Sequence, residues 1–63
     1  MNILNKIIEL DDACQFYDDA CIHWQYYQTT DDDDLKKRCM KHLVNIYYAL
    51  LAINKLKKSH TIS

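Results

Sequence analysis

The 63 residues contain no glycine and no proline. Glycine supplies the left-handed backbone of sharp turns, and proline breaks helices and strands. A chain without either is confined to long regular elements joined by polar turns. The remaining pattern predicts helix, one short polar break, then helix, so the expected class is all-α. Two helices enclose no cavity suited to chemistry. The chain therefore reads as a device for association, and no enzyme activity is expected.

Size sharpens that reading. Two helices of this length bury too little apolar surface to offset chain entropy of about 1.5 kcal/mol per ordered residue. Three cysteines cannot all pair within one chain. Cys14 and Cys21 would lie about 10.5 Å apart along one helix, beyond disulfide reach. Burial against a second chain is the remedy. The expected architecture is a two-helix antiparallel hairpin that pairs into a four-helix homodimer. It forms one domain over residues 1–63, with helix one about 3–28, a turn at 29–33, helix two about 32–58 and a frayed tail at 59–63.

The seams come from spacing. Ile3, Ile7, Leu10, Cys14, Tyr17, Cys21 and Trp24 follow at steps of 4, 3, 4, 3, 4, 3, a heptad stripe. Leu4, Ile8, Ala13, Phe16, Ala20 and Tyr27 widen it, while Asp11, Asp12, Asp18 and Asp19 fall largely off it, toward water. Cys39, Leu43, Ile46, Leu50 and Ile53 form the second stripe, with Met40, Val44, Tyr47 and Leu51 beside it. That second arc is wider than one neighbouring helix would cover, leaving a side for another protein. Between the stripes, Thr29, Thr30 and Asp31 to Asp34 must turn the chain by hydrogen-bonding nearby amides. Thr30 and Asp33 have capping-box spacing, and the aspartates face the positive end of the second helix dipole.

Charge is lopsided. Residues 1–34 hold nine acids and one base, whereas residues 35–63 hold seven bases and no acid. Opposite halves favour folding back or pairing with another copy. The acidic half would repel phosphate, so nucleic acid is not the expected partner. The apolar stretch 43–53 is too short to span a bilayer, so no membrane role is expected. The first residues lack a secretory pattern, and reduced thiols in a cytoplasm are the simplest reading.

Cys14, Cys21, His23, Cys39 and His42 are zinc-type ligands, but their spacing lacks the close pairs such sites use. Cys21 and His23 point to different sides of a helix. No metal and no cofactor are expected. The aspartate run lacks the spaced ligands and glycine of a calcium loop. Tyr26, Tyr27, Tyr47 and Tyr48 suit a protein interface, because tyrosine combines apolar area with a polar tip. Lys55, Lys57 and Lys58 give a basic end, with Ser59, His60 and Thr61 beside it. The four tyrosines and three lysines are the candidate partner-binding residues. Ile7, Leu10, Cys14, Tyr17, Cys21, Trp24, Leu43, Ile46, Leu50 and Ile53 are the candidate core and dimer seam.

Val44-Asn45-Ile46-Tyr47, then Ile53, Lys55-Leu56-Lys57, Ser59, Thr61 and Ile62 resemble the end of the lambda-phage Kil family. Kil proteins are small host-killing factors that block bacterial division through the tubulin-like protein FtsZ. The resemblance covers the last 20 residues, from 44 to 63, without a gap. It implies a cytoplasmic phage-type inhibitor that binds FtsZ and stops filament assembly. Another host protein, such as a defence nuclease, would serve the same design. Length and hairpin design also resemble Rop, a dimer of helical hairpins that binds paired RNA loops.

Overall fold

The computed structural model describes the backbone of residues 2–62 and the side chains of residues 2–58. Among the described residues there are three helices and no strand: α1 (Ile3–Leu10), α2 (Tyr17–Thr29) and α3 (Asp33–Ile62). The all-α class holds. The expected first helix over 3–28 is instead two helices, so the two-helix outline is replaced by a three-helix one. Residues 59–62, expected as a frayed tail, continue the α3 helix.

The break has a local cause. Asp11 is buried, only 5 % exposed. Its carboxylate accepts from the Gln15 amide at 2.9 Å and the Phe16 amide at 2.8 Å. Those are amides at the mouth of α2, where a helix has no internal acceptors. Phe16, the residue preceding α2, offers no side-chain cap of its own. Asp11 also closes α1, donating its amide to the Ile7 carbonyl at 2.9 Å. One residue thus closes α1 with its backbone amide and, with its carboxylate, holds the two amides that lead into α2. The reading of Asp11 as a solvated residue off the seam is corrected. Cys14, in the connection, adopts φ 55°, the left-handed region that L-residues avoid.

α3 is the spine. Thirty residues at about 1.5 Å each span roughly 45 Å, and the molecule measures 49 × 19 × 16 Å. α1 and α2 pack along the same rod. Ile7, Ala20, Leu43, Ile46 and Leu50 form the core cluster, with Ile3, Leu4, Leu10, Phe16, Trp24 and Tyr47 packed on it. Cys39 is also buried. Of the second stripe, Cys39, Leu43, Ile46 and Leu50 are buried and Ile53 is half-buried.

The first seam holds only in part. Ile7 is buried, and Leu10, Cys21 and Trp24 are half-buried. Cys14, in the connection, and Tyr17, the first residue of α2, are exposed, because the backbone leaves the helix after α1 and the heptad phase is lost. Ala20, expected on the flank, takes the central place at 0 % exposure.

The ends of the helices use polar side chains in place of glycine. Asn2 caps α1 by accepting from the Leu4 amide at 2.8 Å. Asn54 of α3 donates to the Leu10 carbonyl at 3.2 Å, satisfying a terminal acceptor of α1. At the second turn Asp32, not Thr30, opens the helix. Its Oδ1 accepts from the Asp34 amide at 3.0 Å and the Leu35 amide at 3.4 Å. Thr30 instead accepts from the Asp32 amide at 3.1 Å. Asp33 and Asp34 lie in the first turn of α3, as the dipole argument requires.

Candidate functional site

Ala20 and Leu43 are both fully buried, and they fix the register between α2 and α3. Asp19 precedes Ala20, and His42 precedes Leu43. This packing carries Asp19, His23 and His42 to one place on the rim of the interface. Asp19 and His23 are one helical turn apart, an i,i+4 pair on a single face. His42 approaches from the opposite helix.

The geometry is close. His42 Nε2–H donates to Asp19 Oδ2 at 2.8 Å. His23 Nδ1–H donates to the Asp19 carbonyl oxygen at 2.7 Å and lies 3.2 Å from Asp19 Oδ1. The two imidazoles stack, with ring centroids 3.9 Å apart and planes 20° from parallel. The His42 hydrogen bond holds the Asp19 carboxyl below its ordinary value. Partial burial opposes that shift, and the charges of His23 and His42 reinforce it. One ligand-type atom from each of the three side chains lies within 4.8 Å of the others.

Sequence reasoning paired the histidines with thiols. The group that converges contains no cysteine. All three cysteines are free: Cys14 exposed, Cys21 half-buried and Cys39 buried. The member of the group that the spacing of cysteines and histidines missed was Asp19, and its signal was the four-residue step to His23.

The candidate partner-binding residues do not share one face. Tyr26 is exposed and lines a shallow groove of about 300 Å³ with Ile22, Gln25 and Thr29. Tyr27 is half-buried and stacks on Trp24 at 5.4 Å. Its outer edge faces an open groove of about 570 Å³ with Lys36, Lys37, Met40 and Lys41. Tyr47 packs on the core, 5.6 Å from the exposed ring of Tyr48. Lys55, Lys57 and Lys58 border a further groove near Leu10 and Leu51.

Comparison with known proteins gives no matching family model, no matching curated protein and no matching solved structure. Among the described residues no helix is long and apolar enough to cross a membrane.

Proposed function

We propose that this chain is a small phage-type inhibitor that acts by binding a host protein in the bacterial cytoplasm, with FtsZ as the candidate target. The observation that carries the binding role is the exposed pair on α2: Ile22 is 51 % exposed and Tyr26 is 55 % exposed. They stand one turn apart on the same face, the i,i+4 spacing by which a helix enters a partner's groove. Tyrosine in that setting is a frequent interface anchor. The C-terminal resemblance to Kil supplies the candidate target. Binding would occlude a surface that FtsZ needs for assembly.

Pairing of two copies belongs to the same reading. Tyr48 is 63 % exposed and Leu56 is 64 % exposed on α3. Two chains meeting there would set their α3 rods side by side, with α1 and α2 of each copy on the far side of its own α3, as a homodimer joined through α3.

The test adds the purified chain to polymerising FtsZ and measures sedimented polymer. Loss of polymer with the wild-type chain, and recovery with Ile22→Ser/Tyr26→Ser, is the expected result. Normal polymer mass and no association would remove FtsZ as the target. A second reading, a Rop-type RNA binder, is favoured by Lys36, Lys37 and Lys41 grouped beside Tyr27. Salt-sensitive binding of hairpin RNA would support it.

A further inference from the structure

The geometry points to a divalent transition-metal site, of the zinc class, formed by Asp19, His23 and His42 between α2 and α3. It is independent of the protein partner proposed above, since neither Ile22 nor Tyr26 belongs to it.

The donor set is two imidazole nitrogens and one carboxylate oxygen. Zinc binds such nitrogens at about 2.0–2.1 Å and carboxylate oxygens at about 2.0–2.2 Å. Around a tetrahedral ion those lengths put ligand atoms roughly 3.3 Å apart. The three atoms already lie within 4.8 Å of one another, with the two carboxylate contacts at 2.8 and 3.2 Å. The imidazoles, stacked with centroids 3.9 Å apart and planes 20° from parallel, must swing apart about their side-chain torsions so that both in-plane lone pairs meet one ion. The donors stand on helices locked by Ala20 and Leu43, both fully buried, so the backbone need not move. The carboxylate supplies a negative charge, and the imidazoles suit zinc better than calcium or magnesium.

Ion entry exchanges bonds in a defined way. His42 Nε2 releases its hydrogen bond to Asp19 Oδ2, and His23 Nδ1 releases its bond to the Asp19 carbonyl oxygen. Each neutral ring then carries its proton on the other nitrogen, leaving the lone pairs of Nε2 and Nδ1 for the metal. The Asp19, His23 and His42 side chains are 48, 28 and 42 % exposed, so the fourth position opens to water. Three protein ligands and one water is the pattern of an open zinc site. Such an ion would join residues 19 and 23 to residue 42 and clamp the long hairpin.

The test uses the full chain with its thiols kept reduced, titrated with zinc or cobalt(II). Zinc at a hundredfold excess over its dissociation constant should raise the thermal midpoint by roughly 10–20 °C, reversed by a chelator. Cobalt should give weak visible bands without strong thiolate charge transfer in the near ultraviolet. Both signals should vanish in His23→Gln/His42→Gln with helicity by circular dichroism retained. Asp19→Asn leaves both imidazoles in place and should weaken zinc at least about tenfold; this second variant serves if the double one fails to fold. No midpoint shift at millimolar zinc overturns the site. So does equal binding by the variants, or a thiolate charge-transfer band, which would assign the metal to the cysteines.

Discussion

Asp11 lies where α1 would have to continue if the first heptad stripe were one helix. Its two carboxylate oxygens are taken by the Gln15 and Phe16 amides, and almost no water reaches it. Hydrogen bonds to a charged acceptor contribute about 1.5–3 kcal/mol each when buried. Replacing the side chain leaves two amides without their partner. Asp11→Ala should therefore lower the unfolding free energy by about 3 kcal/mol, the low end for two such bonds that are only part-buried, read from urea denaturation. Asp11→Asn keeps one acceptor oxygen and should lose less. Equal stability of Asp11→Ala and wild type would mean the connection is held some other way. Cys14 gives the opposite expectation. Its φ of 55° is costly for an L-residue, and its side chain is exposed. Glycine removes that strain but has a more disordered unfolded chain. The strain is the larger of the two, so Cys14→Gly should raise stability by about 0.5 kcal/mol, measured by the same denaturation.

The helices show what a single sequence reveals of its own fold. α3 was legible because its apolar positions keep one phase for the whole buried stretch, and Cys39, Leu43, Ile46 and Leu50 are buried where the spacing put them. The break in the first helix was hidden because Cys14 and Tyr17 continue the same spacing by letter, while the backbone between residues 11 and 16 leaves the helix. A charge argument would have found it. Asp11 and Asp12 at the end of α1 oppose the negative pole of that helix, whereas Asp18 and Asp19 suit the start of another. Two acidic pairs seven residues apart mark a second beginning more reliably than the apolar stripe marks continuity. The cluster of Asp19, His23 and His42 was less accessible still. Its in-helix half was a four-residue step, but the partnership with His42 depends on the register of α2 against α3. Leu43 sets that register and is fully buried. Truncating a buried leucine costs about 2–5 kcal/mol, comparable to what the core of so small a domain supplies. Leu43→Ala should leave the chain largely unfolded at 37 °C by circular dichroism. A variant that keeps its helicity and melts cooperatively would show that the core lies elsewhere.

At the scale of the molecule, the balance between inner and outer apolar surface decides how the chain behaves in solution. Only six apolar residues are buried among the described ones, whereas Ile22, Tyr26, Tyr48 and Leu56 are each more than half exposed. A rod 49 Å long and under 20 Å wide has a high ratio of surface to volume. The exposed side chains on α3 offer the area that the interior lacks, at about 25 cal/mol per Å² removed from water. A homodimer joined along α3 is what the proposed pairing of copies requires. Sedimentation equilibrium at micromolar concentration should return twice the chain mass of 7.5 kDa. Tyr48→Glu/Leu56→Glu should shift the species toward monomer, because the paired copies would bury four carboxylates without partners. The same variant changes no residue of the buried cluster, so its monomer should retain helical circular dichroism while its thermal midpoint becomes independent of concentration. A wild-type chain that sediments as a monomer at every concentration, with a midpoint that does not move on dilution, would place the exposed apolar surface at the disposal of a different protein alone.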